Sequence, residues 1–308
     1  MIMDTYYIRH TEHLNIDDAT REKLWSERRI AIHFPQYKYG EDPKGKIPGG
    51  KPDNSSLDVD DYPSRARRAV RALVELAKTG GYVCAEYYGQ QKSMLGFIDP
   101  DSQIELLRGK WGSPKHEGRQ AILKTLRLKK VKLVNSSDFA VVFVGRPRQG
   151  TIMRWKRVGN VVENAVEGRQ SKIELGHLFP DQQEIMCSEF LRSDSAEKIG
   201  LTKLAHLLLP VGRTMRGIDI CGITVSGHLL FAQVTYKDIE SCQKKIDDLF
   251  AYRDSQGSVL MLFCNCKEPK LMQGIQVIPL QLVYDTFVAT PTGKLWVDRA
   301  GNISVQPC

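Results

Sequence analysis

The chain has 308 residues, of which 42% are hydrophobic and 26% charged, and its formal net charge is +8. These values are typical of a globular protein long enough for two hydrophobic cores. No apolar run reaches the roughly 18 residues that a membrane span needs, and no basic stretch followed by an apolar one opens the chain. We therefore expect a cytoplasmic protein that does not enter a membrane.

The positive charge is concentrated in the first part of the chain. Residues 1–172 contain 31 Lys and Arg against 21 Asp and Glu, a net charge of +10, whereas residues 173–308 contain 13 against 15, a net charge of −2. This asymmetry predicts two domains with a boundary near residue 172. The basic domain is expected to bind nucleic acid, and the second is expected to have a different task.

The N-terminal part begins with alternating strand and helix patterns. Residues 5–9 read as a strand, residues 17–28 as a helix, and residues 29–34 as a second strand. A long loop rich in Gly, Pro, Asp and Lys follows at 38–62. Ser64 begins a helix that runs to about Lys78, and its outer face carries four arginines: Arg65, Arg67, Arg68 and Arg71.

The remainder of this part reads as short strands at 82–88, 93–98, 131–134, 139–144 and 151–158. Short strands with one or two helices in a small basic domain predict a compact β-barrel. The pattern loosely resembles the PUA-like group, which includes the EVE and YTH readers of modified bases. The resemblance implies a PUA-like β-barrel with helices that reads a nucleic-acid feature, either a modified base in DNA or a site in RNA.

Two basic clusters are candidates for the nucleic-acid surface. One is the run from Arg119 to Lys132, with six positive residues in fourteen and no acidic one, and the other surrounds Trp155. Such cations neutralise phosphates, and the aromatic rings between them can stack on a base. Taken singly, each residue is better explained as a solvated surface charge or a core aromatic; the clusters together favour nucleic acid. The predicted binding residues are Lys124, Arg127, Lys129, Lys130, Arg154, Lys156, Trp111 and Trp155.

The C-terminal part contains a helix followed by an apolar strand pair. The helix begins near Pro180 and ends near Leu191, and the strands are expected at 218–224 and 229–236, joined by a turn at Ser226–Gly227. A helix at 239–252, a strand at 258–264 and a strand–helix unit at 275–287 complete the predicted elements.

Residues 175–290 resemble the PD-(D/E)XK nucleases, in particular the Mrr-type restriction enzymes that use a D…QxK variant. The residues that carry the resemblance are Glu184 on the helix, Asp219 on the first strand and Gln233 on the second. It implies a restriction-endonuclease-like mixed α/β sheet, in contrast to the α+β N-terminal domain. Asp219 and Glu184 would bind Mg²⁺ or Mn²⁺ together with the carbonyl of Val234, and Gln233 would orient a ligand or the attacking water. Glu189 is the alternative helical ligand.

The motif departs from the family at its lysine, because Thr235 stands two residues after Gln233. Lys237 is the next residue on the same side of a regular strand, and Lys203 is a second candidate. Either Lys237 takes the lysine's role or the site is weak or inactive.

The strand pair also provides a geometric expectation. A two-residue loop would pair Asp219 with Val234 and separate it from Gln233. A three-residue loop at Ser226–His228 would pair Asp219 with Thr235 and place the polar residues together. We predict the second arrangement or a bulge with the same effect.

The sequence therefore predicts a metal-dependent DNA endonuclease that acts in restriction or phage defence and functions as a homodimer or larger assembly. Two alternatives remain open. One is a non-catalytic nucleic-acid-binding protein with a degenerate nuclease fold, and the other is an RNA-binding PUA-like protein.

Overall fold

A computed structural model describes residues 3–34, 55–112, 120–135, 147, 150–156, 158–169, 172–208, 217–253 and 257–301. Most of the loop expected at 38–62 and the strand expected at 139–144 lie outside these residues. Contacts divide the chain into two compact units, one within Met1–Lys172 and one within Ile173–Gly301. Within the described ranges, no helix is long and apolar enough to cross a bilayer.

The first unit contains eight strands and three α-helices within its described residues. The strands are β1 (Thr5–His10), β2 (Arg29–Ile32), β3 (Gly81–Tyr87), β4 (Lys92–Ile98), β5 (Glu105–Lys110), β6 (Gln120–Arg127), β7 (Lys129–Asn135) and β8 (Ile152–Arg154). The helices are α1 (Asp18–Ser26), α2 (Ser64–Thr79) and α3 (Gly159–Val166). Short 3₁₀ turns lie at Glu12–Leu14 and Val59–Asp61.

These strands form two sheets that share a core. The larger sheet has the order β7-β4-β3-β1-β8, and the smaller one has the order β2-β6-β5. The apolar face of α2, the small sheet and one face of the large sheet contribute to a single cluster of buried side chains. Helix α3 contacts β1, β3, β4 and β7. Because its residues are absent from that cluster, it covers the other face of the large sheet.

The predicted β-barrel is not seen in the described part of this unit. Its two sheets remain separate and open, and the central pair β1 and β3 is parallel rather than part of an antiparallel meander. The chain passes from one sheet to the other at Leu128, between β6 and β7, where Lys130 has a positive φ of 50°. The unit is therefore an α+β fold with a helix packed between sheet edges rather than a closed cylinder.

The second unit is a mixed α/β structure. Its helices are α4 (Pro180–Arg192), α5 (Asp194–Lys198), α6 (Gln243–Phe250), α7 (Leu280–Val288) and α8 (Pro291–Gly301). Its strands are β9 (Leu204–Leu207), β10 (Ile220–Thr224), β11 (Leu229–Asp238), β12 (Val259–Asn265), β13 (Lys270–Met272) and β14 (Ile275–Pro279). Short 3₁₀ turns lie at Leu175–His177 and Ile239–Ser241.

One six-stranded sheet organises this unit, in the order β13-β14-β12-β11-β10-β9. Strands β9, β10 and β11 are antiparallel, whereas β11, β12 and β14 are parallel to one another. The side chains of Ile246 and Leu249 on α6 pack against Phe231, Leu260 and their neighbours on one face. Helices α4 and α7 contact each other and the sheet but contribute nothing to that cluster, so they cover the opposite face.

A buried histidine connects the two sheets of the first unit. His10 is 3% exposed, and its ring stacks on Tyr87 with centroids 4.4 Å apart. The amide of Ala31 on β2 donates to Nε2 at 2.9 Å, so Nε2 carries no proton. Nδ1 therefore carries the proton and donates it to the Glu86 carbonyl at 3.0 Å. Burial lowers the pKa of His10 from about 6.5 to about 4.

This depressed pKa predicts acid sensitivity of the first unit. The unfolded chain binds a proton at His10 below pH ~6.5 and the folded chain does so only below about 4, so stability is present above pH 6.5 and falls as the pH falls toward 4. We expect a loss of about 3 kcal/mol across that window. Urea unfolding between pH 7 and 4.5 measures it. A His10→Leu variant, less stable at pH 7, should show a shallower pH dependence, and an equal slope in both proteins would contradict this account.

Candidate active site

The β10–β11 hairpin has a register that differs from the predicted one. Cys221 pairs with Phe231 and not with Gln233, and the loop is Val225–Gly227, closed between Thr224 and His228. The predicted pairing of Asp219 with Thr235 is therefore wrong by two residues. Thr224 causes the shift, because its hydroxyl accepts the His228 amide at 3.0 Å and ends the ladder earlier than a Ser226–His228 loop would.

A backbone irregularity lies at Asp219, immediately before β10. Ile220 pairs with Ala232, yet the Asp219 amide also donates to the Ala232 carbonyl, so two residues oppose one. Ile218 and Cys221 both point into the cluster beneath α6, which shows that the strict alternation of side chains is broken between them. Such a bulge re-aims a side chain, and bulges are enriched beside active sites. The regular alternation of side chains on which the sequence prediction relied therefore does not hold at Asp219.

The Asp219 carboxylate lies at the end of the sheet, between β11 and α6. Its Oδ2 accepts the amide of Val234 at 2.7 Å and lies 3.5 Å from the Nζ of Lys245 in the first turn of α6. The side chain is 23% exposed. Because both side chains are partly exposed, the carboxylate and the ammonium can each contact a ligand, which makes the pair a candidate functional site.

The two helical candidates on α4 differ in their surroundings. Glu189 forms an ion pair with Arg192 at 3.5 Å and lines a cavity to which Asp219 does not contribute. Burial raises the pKa of the Cys187 thiol well above its usual range, and the carboxylates of Glu184 and Asp219 raise it further. The role of Glu184 as the second metal ligand stays a prediction.

Gln233 and Val234 adjoin Asp219, but in a different manner from the prediction. Gln233 is 1% exposed, and its amide donates to the Gly217 carbonyl. It fixes the segment leading to Asp219 rather than presenting a polar group to solvent. At Val234 the amide, not the carbonyl, contacts Asp219. The roles of these two residues as water-orienting group and metal ligand stay predictions.

Neither predicted substitute for the missing lysine contacts Asp219 in the described structure. The pairing of β11 with β12 is irregular after Val234. Val234 pairs with Phe263 and Asp238 with Asn265, so β11 advances four residues while β12 advances two. This wide irregularity breaks the alternation that was expected to align Lys237 with Gln233, and Lys237 is exposed. Lys203 pairs with Asp194 instead.

Lys245 is the functional candidate that sequence reasoning missed. It lies 26 residues after Asp219 on a helix, outside the strand motif. The order of elements gave a partial signal, because α6 follows β11 and Asp219 directly precedes β10, its antiparallel partner. The pairing of the strands is needed to show that the start of α6 and Asp219 lie at the same end of the sheet.

A separate cavity of about 660 Å³ lies at the other end of the hairpin. It is lined by Val225 at the turn, Lys203, Asp194 and residues of α7 and α8, among them Trp296. Asp219 is not among its lining residues. The cavity therefore does not form part of the Asp219 site.

Two of the predicted nucleic-acid-binding residues are buried in the first unit. Lys124 is 1% exposed, with its ammonium 4.7 Å from the centroid of the Tyr62 ring. Trp155 is 4% exposed and packs edge-on against Tyr7. Both are core residues as described, so neither can contact a ligand at the surface. Lys124 is interior because its side chain points to a face of β6 that the buried ring of Tyr62 covers.

Other predicted contacts are engaged with acidic neighbours. Lys129 pairs with Asp99, Lys130 with Glu167 at 2.8 Å, and Arg154 with both Asp4 and Glu75. Trp111 is half-buried, with its ring 4.3 Å from that of His33. Arg127 and Lys156 are exposed. The two sequence clusters are therefore not single free basic surfaces, although Arg119, Arg146, Arg148 and Arg157 lie outside the described residues.

The burial of Lys124 predicts a stability effect without a binding effect. We expect Lys124→Met to leave nucleic-acid affinity unchanged within about twofold, since no surface charge is removed. Lys124→Glu should destabilise the unit by about 3 kcal/mol, because it buries a carboxylate beside an aromatic ring. Urea unfolding and fluorescence anisotropy measure the two effects, with exposed Lys156→Met as the control. A tenfold loss of affinity in Lys124→Met with unchanged unfolding would contradict the assignment.

The Asp219 site fits a divalent cation only in part. Among the described residues, no group of three or more His, Cys, Asp and Glu side chains is arranged to hold a metal ion. Mg²⁺, however, is commonly held by one or two carboxylates, with water and substrate phosphate as its other ligands. The Val234 amide and the Lys245 ammonium both contact Oδ2 of Asp219, so Oδ1 is the oxygen suited to a cation. The arrangement fits a site that the substrate completes.

Comparison with known proteins gives no relative for this chain. It matches no protein-family model, no curated protein and no solved structure. The functional argument therefore depends on the geometry of the chain itself.

Proposed function

We propose that the chain is a metal-dependent endonuclease that cuts DNA, with catalysis in the second unit and DNA binding in the first. The observation that carries the proposal is the partly exposed carboxylate of Asp219, fixed by the Val234 amide and 3.5 Å from the ammonium of Lys245. Glu184 on α4 is the second carboxylate that we assign to the cation.

The order of elements supports the proposal. The second unit runs from helix α4 through three antiparallel strands to helix α6 and the parallel strand β12. The resemblance to the PD-(D/E)XK nucleases implies a helix, then a strand pair with the acidic residue on its first strand and Gln233 on its second, and then a further helix and strand. Asp219 directly precedes β10 and Gln233 lies on β11, whereas β9 is a strand that the resemblance did not include.

The residues of the site suit phosphodiester hydrolysis. A bound Mg²⁺ or Mn²⁺, held by Asp219 and Glu184, would offset the phosphate charge and lower the pKa of a water. The Val234 amide keeps the Asp219 carboxylate in one orientation. The Lys245 ammonium provides positive charge where negative charge develops on the phosphate, which is the task of the motif lysine that Thr235 replaces.

A cleavage assay tests the proposal. The full chain is incubated with plain, methylated and hydroxymethylated duplex DNA, with single-stranded DNA and with RNA, each with Mg²⁺, Mn²⁺ or EDTA. We expect cutting of duplex DNA only with metal, and gel filtration of the protein with its DNA should reveal a dimer, since cutting both strands favours two active sites. Cutting that persists in EDTA, or cutting of RNA alone, would contradict the proposal.

A non-catalytic role is the second candidate, favoured by one observation. Gln233, which the family motif would use at the active site, is buried and bound to the Gly217 carbonyl. Tight DNA binding without cutting under every metal condition would support this platform function.

A further inference from the structure

Three arginines on the exposed side of α2 form a positively charged stripe, made of Arg65, Arg68 and Arg71. Each is exposed, whereas the opposite side of the helix packs Ala66, Leu73 and neighbouring apolar residues into the core of the first unit. Arg71 lies six residues after Arg65, so the stripe extends about 9 Å along the helix axis. Its members are outside the two basic clusters considered above.

The stripe arginines have no acidic neighbours. Within the described residues, no member has a carboxylate within 4.0 Å. The adjacent Arg67, by contrast, donates to the Tyr62 carbonyl at 2.8 Å and lies 3.6 Å from Asp60. Glu75, the one acidic residue of α2, is bound to Arg154. The stripe therefore keeps its charge available, whereas Lys129 and Lys130 in the sequence clusters are paired with carboxylates.

The stripe does not stabilise the helix that carries it. Arg65 lies in the first turn of α2, where the positive end of the helix macrodipole disfavours cations. Positions three apart are also neighbours on a helix surface, so the like charges of the three arginines repel one another. Three cations that repel one another and have no acidic neighbour point to a polyanionic ligand outside the unit.

The geometry favours the phosphates of a nucleic acid. An arginine guanidinium donates two parallel hydrogen bonds to the oxygens of one phosphate. One strand of duplex DNA presents a phosphate about every 3.4 Å along its axis, so a stripe of about 9 Å spans two or three successive phosphates. We infer that the arginine stripe is the surface by which the first unit holds the backbone of duplex DNA. The inference rests on the proposed function, since it names how the substrate is held.

The experiment removes three charges at the stripe and three elsewhere in the same unit. The full chain carrying Asp219→Asn, to prevent cutting, is combined with Arg65→Gln, Arg68→Gln and Arg71→Gln. The matched control carries Lys23→Gln, Lys92→Gln and Arg169→Gln, three exposed cations of the same unit that lie outside the stripe and outside the predicted binding residues. Circular dichroism and urea unfolding check that both proteins fold. Anisotropy then measures affinity for a labelled 20-base-pair duplex over a range of salt concentrations, with duplex RNA and phosphatidylserine vesicles as other arms.

We expect the stripe variant to bind duplex DNA about a hundredfold more weakly, with its log–log salt slope reduced by about 2 to 3, while the control stays within about threefold. Equal losses in both variants, or no loss in the stripe variant, would overturn the inference. So would stripe-dependent binding that prefers vesicles or RNA. Cutting is measured separately with the chain that keeps Asp219. If the stripe is needed for binding but no cutting occurs, the inference holds and the nuclease proposal fails. If cutting occurs but binding does not need the stripe, the nuclease proposal holds and the inference fails.

Discussion

Replacing Asp219 by Asn is expected to abolish metal-dependent DNA cutting, with a loss of about a thousandfold or more. A carboxylate that holds a catalytic cation contributes several kcal/mol of transition-state stabilisation, and each 1.36 kcal/mol corresponds to about tenfold in rate. The side-chain oxygen of Asn can still accept the Val234 amide, so the hydrogen bond that fixes the strand end is kept. Only the charge and the metal affinity are removed.

Single-turnover cleavage with saturating protein measures this effect without interference from binding. DNA affinity and the urea unfolding midpoint should remain close to those of the unmodified chain, because Asp219 is partly exposed and its ion pair with Lys245 is solvated. Asp247→Asn, at an exposed position of α6, is a matched control. Full cutting by Asp219→Asn would exclude this residue as a metal ligand and remove the support for the proposed site.

The second large effect is expected at Lys245. Lys245→Met keeps the length of the side chain but removes the ammonium 3.5 Å from Asp219, and we expect a loss of about a hundredfold in cleavage rate. Lys237→Met is the matched control, since the sequence motif favoured Lys237 and the structure leaves it exposed at the irregular end of β11. It should lose no more than about threefold.

The pair of variants separates two interpretations of Thr235. If Lys245→Met is inactive and Lys237→Met is active, the lysine function has moved from the strand to the helix. The opposite result would return the role to Lys237. Lys245→Arg, which keeps the positive charge, should recover part of the cleavage rate that Lys245→Met loses.

Local patterns predicted most of the secondary structure. The helix from Ser64 ends at Thr79, one residue beyond its predicted end, and the helix from Pro180 ends at Arg192. The apolar spacing of these segments fixes both their type and their buried side. The strand expected at 258–264 was found at Val259–Asn265 for the same reason.

Long-range pairing was the part that local patterns could not supply. The run ending at Lys132 was expected to present a basic surface, yet it forms β6 and β7, and the ring of Tyr62, distant in sequence, covers the Lys124 side chain. Charge counts along a sequence do not include the acidic partners that tertiary structure adds, such as Glu167 for Lys130. The hairpin register likewise depended on the Thr224 hydroxyl, and the bulge at Asp219 had no local signal.

The position of β1 in its sheet has a consequence for folding during synthesis. β1 lies between β3 and β8, so it acquires its last neighbour only when Arg154 has been made. At about 5–20 residues per second, synthesis from Tyr87 at the end of β3 to Arg154 takes some 3–13 s, during which one side of β1 is unpaired. Pairing between strands so far apart in sequence slows folding, and until it occurs the hydrophobic edge of β1 is open to other chains. Chaperone dependence and aggregation of truncated chains should therefore end abruptly once synthesis passes β8.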